Sequence, residues 1–259
     1  MEAERETEHL VARFVAELER SVRPAAVWVH GSWALGDYRE GRSDLDLLAL
    51  LTGPLDAEQR TALRRLHERL DVELPLAAKL HCSYLLPGQL ADLDQRHLTW
   101  AHRTLFERPV TAVTRRELEI GGRTLLGPPP AGLVPPVGDA ELARFIRLDL
   151  REFWLPATAR WPRWLKDVWV DAGLITLARA DATLRTGELL TKSQAIELLP
   201  QFGVPGRLVQ ELRERRYRQP APPPAGWRWR RRRAEVTRRV LRAGIAATLG
   251  GSEARGTGR

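Results

Sequence analysis

The sequence is poor in cysteine and contains no long apolar run. Its 259 residues include a single cysteine, so an internal disulfide is excluded, and a reducing compartment suits such a chain. No stretch reaches the roughly 20 consecutive apolar residues that a membrane span requires. The first 20 residues, MEAERETEHLVARFVAELER, carry charges throughout and lack the apolar centre of a signal peptide. We therefore expect a cytoplasmic protein with no membrane partner.

Lysine is also scarce, and the basic side chains are almost all arginine. Lysine occurs only at Lys79, Lys166 and Lys192, yet the formal net charge is +8. Much of the excess follows residue 206, as in the run 230–233. Such a region is able to bind phosphate backbones non-specifically, but a solvated helix face is the favoured interpretation. Nucleic acid is therefore an alternative partner and not the expected one.

Apolar runs surround a polar, glycine-containing segment in residues 27–51, VWVHGSWALGDYREGRSDLDLLALL. The pattern predicts one strand that breaks at Gly31 and Ser32 and a second strand that starts at Asp44 and Asp46. Alternation puts both carboxylates on one side of that strand. Such a pair suits Mg²⁺, which takes few protein ligands, and a glycine turn lets backbone N–H groups approach a phosphate. The stretch predicts a metal–triphosphate site; the alternative is a surface hairpin with acids at one strand end.

The spacing of these residues resembles the nucleotidyltransferase superfamily, which includes DNA polymerase beta and the aminoglycoside nucleotidyltransferases. The matching positions are Gly31, Ser32, Ser43, Asp44 and Asp46, with an apolar strand on each side. The resemblance implies that Asp44 and Asp46 are catalytic and hold one or two Mg²⁺ ions. It also implies that Gly31, Ser32 and Ser43 bind the triphosphate of ATP, the nucleotide substrate.

Local signals set several element boundaries. Asp56 is placed to cap a helix over 57–70, and a third strand is predicted over 77–86. Gly187 is a natural C-terminal cap for a helix. A helix, two strands, a second helix and a third strand in this order favour a small mixed sheet with flanking helices.

A proline-rich segment divides the chain. Residues 128–138, PPPAGLVPPVG, are typical of a semi-rigid linker, and the residues after it have helical patterning. We predict an α+β fold in three parts. A nucleotidyltransferase domain with a small mixed sheet and flanking helices spans 1–133, an all-helical domain spans 134–249, and a disordered tail spans 250–259.

The helical half carries a second resemblance. The segment LITLARADATLRTGELLTKSQAIELLP is similar to the helical domain of aminoglycoside adenylyltransferases of the streptomycin and spectinomycin type. The resemblance implies that Arg179, Lys192 and Tyr217 complete the ATP pocket, where cations offset the charge of the triphosphate. Solvated helix positions are the alternative for Arg179 and Lys192. The resemblance further implies a small hydroxylated, aminoglycoside-like acceptor and an antibiotic-resistance function, and we expect a monomer.

One position departs from the family pattern. The resemblance implies a glutamate, as general base or metal ligand, on the strand after the aspartate pair, and the residue there is His81. A histidine is able to accept a proton or ligate a metal; alternatively, catalysis no longer uses the position. Asp71 and Glu73, just upstream, are further candidates.

The expected activity is Mg²⁺-dependent transfer of AMP from ATP to a hydroxyl group of a small molecule, with His81 as a catalytic residue. Two alternatives stay open. One is a catalytically impaired nucleotide-binding protein of the same fold, which the histidine at position 81 favours. The other is a nucleotidyltransferase that acts on nucleic acid, which the basic C-terminal region favours.

Overall fold

A computed structural model describes residues 2–218, 223 and 225–256 of the chain. The chain divides into two compact units, Met1–Val137 and Gly138–Arg259. The division falls four residues after the boundary at 133/134 that the proline-rich segment suggests.

The first unit contains both helices and strands. In chain order they are α1 (Glu2–Val22), β1 (Ala26–His30), α2 (Gly31–Ala34), β2 (Leu45–Leu50), α3 (Ala57–Glu73), β3 (Leu80–Leu85), β4 (Arg96–Ala101), β5 (Thr104–Pro109), α4 (Ala112–Gly121) and β6 (Arg123–Leu126). Short 3₁₀ helices cover Pro75–Lys79 and Gln89–Ala91.

One mixed sheet of six strands forms the centre of this unit. The strand order is β5-β4-β3-β2-β1-β6, in which β2 and β3 are parallel and every other neighbouring pair is antiparallel. The predicted small mixed sheet is confirmed. The hairpin of β4 and β5 is additional, because the sequence analysis assigned no strands there.

Alternating side chains bury both faces of the central strands. Val27 and Val29 of β1 join a core cluster with Phe14 of α1 and Leu66 of α3. The intervening Trp28 packs into a second cluster on the opposite face of the sheet. Strands covered on both faces read as continuous apolar runs, which explains why β1 and β2 stand out in the sequence.

The capping signal before α3 is confirmed. Oδ1 of Asp56 accepts a hydrogen bond from the backbone N–H of Gln59 at 2.7 Å, and the Gln59 side chain accepts one from the Asp56 N–H at 3.0 Å. This reciprocal capping box satisfies two N–H groups that the first turn of a helix leaves unpaired. The strand predicted over 77–86 is shorter, because Pro75–Lys79 forms a 3₁₀ helix before β3 begins.

Helices make up the regular structure of the second unit wherever it is described. They are α5 (Asp139–Asp149), α6 (Leu155–Ala157), α7 (Asp167–Thr186), α8 (Lys192–Leu198), α9 (Gly206–Tyr217) and α10 (Trp227–Gly256), with a π-helical turn at Leu150–Trp154 and 3₁₀ turns at Trp161–Leu165 and Leu199–Phe202. Together with the mixed sheet of the first unit, these elements confirm the α+β class and the all-helical second part.

The ends of two helices bear on the predictions. Gly187 has a φ of +77° and caps the C-terminus of α7, as predicted. Helix α10 begins at Trp227 and continues through 250–256, where the sequence analysis expected disorder; residues 257–259 lie outside the described part. Its first two turns are held at Leu165, since Arg230 and Arg233 both donate to that carbonyl oxygen. None of the described helices combines the length and the apolar character that crossing a bilayer demands.

A buried histidine makes the stability of the first unit dependent on pH. His67 of α3 is 1% exposed, its ring stacks on Trp100 at 4.6 Å, and its Nε2 is hydrogen-bonded with the Tyr84 hydroxyl at 2.5 Å. Burial lowers its pKa from 6.5 to about 3. The folded state therefore holds the ring neutral at pH values where the unfolded chain protonates it.

This pKa difference predicts a loss of stability in acid. The contribution of His67 is fully present above pH 6.5 and declines as the pH falls toward 3, by roughly 1 kcal/mol per pH unit. Urea denaturation of wild type and His67→Phe between pH 7 and pH 4 measures it, because phenylalanine keeps the aromatic stack and does not titrate. Equal pH slopes for the two proteins would contradict the prediction.

Candidate active site

The glycine-serine turn begins where β1 ends. Gly31 has a left-handed backbone conformation with a φ of +68°, which glycine adopts without the steric cost of a side chain. A Cβ atom built on Gly31 would lie 2.8 Å from Oδ2 of Asp46. Glycine at this position therefore lets the backbone of the turn pack directly against the Asp46 carboxylate.

Asp44 and Asp46 lie at the N-terminal end of β2, as the alternation predicts. Asp46 is the second residue of the strand, and Asp44 is the residue immediately before the strand begins. Their side chains are 34% and 26% exposed, on a strand that is otherwise mostly buried. Nζ of Lys79 lies 3.3 Å from Oδ1 of Asp44, which offsets part of the negative charge at this point. Both carboxylates therefore stay accessible at the edge of a buried sheet.

His81 stands beside Asp46 on the neighbouring strand. The two residues are partners in the parallel pairing of β2 with β3, so their side chains point to the same face. Nδ1 of His81 lies 3.4 Å from Oδ1 of Asp46, and the histidine side chain is 6% exposed. His81, at the position where the family resemblance implies a glutamate, thus lies directly next to the carboxylate of Asp46.

His102 is a site neighbour that the sequence analysis missed. Its ring centroid lies 4.8 Å from that of His81, with the rings at 73° to each other. His102 and Arg103 form the tight turn between β4 and β5, with φ values of +52° and +63°. Hairpin turns of this kind are normally marked by asparagine or glycine, so neither the turn nor the approach of His102 to His81 had a sequence signal.

The two upstream acids are engaged elsewhere. Both lie in the last turn of α3 and not on β3. Glu73 is ion-paired with Arg13 of α1, and Oδ1 of Asp71 accepts a hydrogen bond from Nε of Arg103 at 3.1 Å. Because Asp71 and Glu73 are engaged with arginines, whereas His81 lies 3.4 Å from Asp46, His81 is the better candidate for the role of the family's glutamate.

A second histidine on the same edge of the sheet pairs with a buried acid. Nδ1 of His30, the last residue of β1, lies 3.1 Å from Oε2 of Glu117 on α4. Their exposed fractions are only 7% and 8%. The sequence analysis missed this contact, because 87 positions separate the two residues and only the fold brings them together.

The serines of the motif have different environments. Ser43 is 2% exposed, and its hydroxyl oxygen accepts a hydrogen bond from the backbone N–H of Arg39 at 3.0 Å. This contact closes the loop that leads into Asp44. Ser32 is half-buried in α2, and its carbonyl oxygen accepts a hydrogen bond from the Asp37 N–H at 2.8 Å. Ser43 therefore helps to fix the loop geometry, and Ser32 is the more accessible of the two.

The donor set at this edge fits Mg²⁺. In the part of the chain that the structure describes, no group of three or more histidine, cysteine or acidic side chains is placed to enclose a metal ion. Mg²⁺ in nucleotide sites needs no such cage, since one or two carboxylates hold it and phosphate oxygens and water complete its shell. Asp44 and Asp46 are such carboxylates, and Gly31 has no Cβ atom to press on the carboxylate of Asp46.

The three residues predicted in the helical half lie on adjoining segments of the second unit. Nε of Arg179 on α7 donates to the carbonyl oxygen of Leu190 at 2.7 Å, close to where α8 begins with Lys192. Tyr217 is the last residue of α9 and is 43% exposed. Its neighbour Arg216 donates from Nε to the Ser193 hydroxyl at 3.0 Å. These contacts bring the ends of α8 and α9 together.

Several arginines of the basic C-terminal region serve the fold. Arg233 is fully buried and is ion-paired with Asp167 and Glu211. Arg230 donates to the carbonyl oxygen of Leu165, and Arg238 donates to that of Thr158. These contacts leave fewer basic side chains for a phosphate backbone than the sequence suggests. They weaken the nucleic-acid alternative.

The single cysteine has no role in this chemistry. Cys82 is completely buried in β3, and burial raises the pKa of its thiol to about 12. The reactive thiolate is therefore absent at neutral pH. A covalent cysteine mechanism is excluded for this residue.

Comparisons with known proteins give a match to a family model and a similarity of fold. Residues 11–97 match the family model of the nucleotidyltransferase domain. The glycine-serine turn, both aspartates and His81 lie within this range. The fold is similar to that of the spectinomycin adenyltransferase AAD(9) from Enterococcus faecialis, solved with ATP and spectinomycin. That match has a TM-score of 0.63 and 13% sequence identity, and it covers 91% of this chain and 99% of the other. No curated protein sequence matches the chain significantly.

Proposed function

Because the first unit carries a nucleotidyltransferase domain, we propose that this protein transfers AMP from ATP to a hydroxyl group of a small molecule. The observation that carries the proposal is the pair Asp44 and Asp46 at the N-terminal end of β2, with the Gly31 turn packed against the carboxylate of Asp46. A buried strand that presents two accessible carboxylates beside a glycine turn suits a metal-bound triphosphate.

Asp44 and Asp46 would hold Mg²⁺, and the turn would bind the phosphates. The ion, when bound, neutralises charge on the phosphate oxygens. Backbone N–H groups at Gly31 and Ser32 approach the triphosphate, since no side chain at Gly31 blocks them. Ser43 supports the same site through the hydrogen bond that closes its loop. The role of this constellation is to fix the α-phosphate in line with an incoming hydroxyl group.

His81 is the proposed proton acceptor for that hydroxyl group. The acceptor oxygen attacks the α-phosphorus of ATP, the bond to the bridging oxygen breaks, and pyrophosphate leaves. The hydroxyl proton passes to the imidazole of His81, which lies next to Asp46 on the same face of the sheet. The adjacent carboxylate stabilises the positive charge that the imidazole gains.

For Arg179, Lys192 and Tyr217 we propose the roles that the family resemblance implies. The cations Arg179 and Lys192 offset the charge of the leaving pyrophosphate, and Tyr217 lines the nucleotide pocket. The exposure of Tyr217 and the adjoining positions of α8 and α9 support this assignment.

The proposed acceptor is an aminoglycoside-like hydroxylated compound, and the biological outcome is resistance to it. The support is the likeness of the fold to an adenyltransferase solved with spectinomycin. Spectinomycin and streptomycin are therefore the first compounds to test, and a reaction would be detected as pyrophosphate release.

A second candidate function is nucleotide binding without transfer. The specific observation in its favour is the imidazole of His81 at the position where the resemblance implies a carboxylate base. Mg-ATP binding with no pyrophosphate release in the presence of any tested hydroxylated acceptor would favour this candidate.

Titration calorimetry of ATP with and without Mg²⁺ tests the shared part of both proposals. We expect binding that depends on Mg²⁺ and that weakens at least about tenfold in the Asp44→Asn/Asp46→Asn double variant, because amides do not replace the charge of the carboxylates. The control is Asp56→Asn, which alters a helix cap of the same unit and leaves the site intact. Absence of nucleotide binding by the wild type, with GTP, CTP and UTP also tested, would overturn the proposed function.

A further inference from the structure

Helix α4 contacts both ends of the glycine-serine turn. At the start of the turn, Oε2 of Glu117 lies 3.1 Å from Nδ1 of His30, the residue directly before the turn. At the end of the turn, the backbone of Gly121 packs closely against Ala34, the last residue of α2: a Cβ atom built on Gly121 would lie 3.2 Å from the Ala34 carbonyl oxygen. The four-residue helix α2 is therefore held between two contacts of one longer helix.

The contact between His30 and Glu117 is a buried polar pair. Both residues are less than 9% exposed, and a buried ionisable group costs free energy unless its partner satisfies it. Two apolar side chains would pack here at no such cost. What the polar pair adds is direction, because a carboxylate that accepts from Nδ1 fixes the rotation and the tautomer of the ring.

The imidazole ring of His30, which Glu117 orients, lies beside Asp46, one of the two proposed metal ligands. His30 and Asp46 are directly opposite each other in the antiparallel pairing of β1 with β2. Side chains of opposed residues share a face of the sheet, with their Cβ atoms about 5 Å apart. Rotation of the His30 ring would therefore disturb the space next to Asp46.

We propose that Glu117 is a positioning residue for nucleotide binding, which acts through His30 to hold the Gly31 turn against the carboxylate of Asp46. The inference rests on the proposed function, since the turn and Asp46 are the groups assigned to the metal-bound triphosphate. Glu117 acts through another side chain and has no assigned contact with substrate.

Calorimetry of Mg-ATP binding to the full chain provides the test. We expect Glu117→Ala to raise the dissociation constant about tenfold or more, the usual effect of removing a group that orients a site residue. Glu117→Gln should stay within about threefold of wild type, because its amide oxygen accepts the same hydrogen bond from Nδ1. The matched control is Glu119→Ala on the same helix, whose carboxylate is 48% exposed and pairs with Arg116; it should bind as wild type does.

A double variant separates orientation from folding. The substitution His30→Leu/Glu117→Leu replaces the pair by apolar side chains, which favours a stable fold, yet we expect its Mg-ATP binding to be weakened to the same extent as in Glu117→Ala. Circular dichroism and the melting temperature verify that each variant is folded. Wild-type affinity in the double leucine variant, or equal weakening in Glu117→Gln and Glu117→Ala, would overturn the positioning role.

The outcomes also separate this inference from the proposed function. Wild-type protein that binds no Mg-ATP overturns the proposed function, and the positioning role falls with it. Wild-type protein that binds Mg-ATP, with the Glu117 variants unaffected, overturns the positioning role alone.

Discussion

Replacement of Gly31 by alanine is expected to lower adenylyl transfer by about 100-fold or more, the effect of a displacement of about 1 Å at a reacting centre. The new Cβ atom would lie 2.8 Å from Oδ2 of Asp46, so the carboxylate or the turn must move. Alanine at a φ of +68° also costs roughly 1–2 kcal/mol of stability. Pyrophosphate release and Mg-ATP affinity measure the first effect, and chemical denaturation measures the second.

A matched glycine in the same region separates the two effects. Gly41 has a φ of +70°, and apart from Gly41 and its two chain neighbours no described residue has an atom within 4 Å of a Cβ built on it. Gly41→Ala should therefore lose a similar amount of stability and keep most of its activity. An equal loss of transfer in Gly41→Ala and Gly31→Ala would show that backbone strain, and not contact with Asp46, causes the defect.

The elements that the sequence predicted best are those whose signals are local. Asp56 caps α3 through contacts with a residue three positions away, and Gly187 ends α7 through its own backbone conformation. The placement of Asp44 and Asp46 at the start of β2 and the turn at Gly31 also follow from local signals, since strand alternation and glycine preference act within a few residues. The residues that carry these signals on β1 and β2 lie within 11–97, the stretch that matches the nucleotidyltransferase family model.

The parts that were missed depend on tertiary contacts or on unusual turn chemistry. Most of β5 is exposed or half-exposed, so it lacks the apolar run of a buried strand, and its turn uses His102 and Arg103 in place of asparagine and glycine. The pair of His30 with Glu117 joins residues 87 positions apart. No pattern within a sequence window carries such information.

Charge counts were a weaker guide than individual contacts. Acids of the helical half are partly neutralised by ion pairs, since Asp171 pairs with Arg215 and Asp181 with Arg185. Burial raises the pKa of Asp149, although a hydrogen bond from Trp154 acts in the opposite direction. The chemistry of this chain is therefore better argued from the edge of the sheet at β1, β2 and β3 than from net charge.

Substitution of His81 tests the most unusual feature of that edge. We expect His81→Ala to lower kcat by about 100- to 1,000-fold, within the range that a general base contributes, while the KM for ATP changes little. His81→Glu should keep much of the activity, because a carboxylate at this position, beside Asp46, is also able to accept the hydroxyl proton. Steady-state pyrophosphate release at saturating ATP, with an acceptor that the wild type uses, measures both variants.

His102→Ala is the companion variant, because it removes the ring that contacts His81 and leaves the proposed base in place; its loss of kcat should be less than about tenfold, since no reacting proton depends on it. Full turnover by His81→Ala would show that His81 is not the proton acceptor. A wild type that binds Mg-ATP without transfer, together with a His81→Glu variant that gains transfer, would identify the chain as an impaired enzyme. In that outcome the imidazole at position 81 alone separates a nucleotide-binding protein from a transferase, and the rest of the site, from Gly31 to Asp46, is retained for binding.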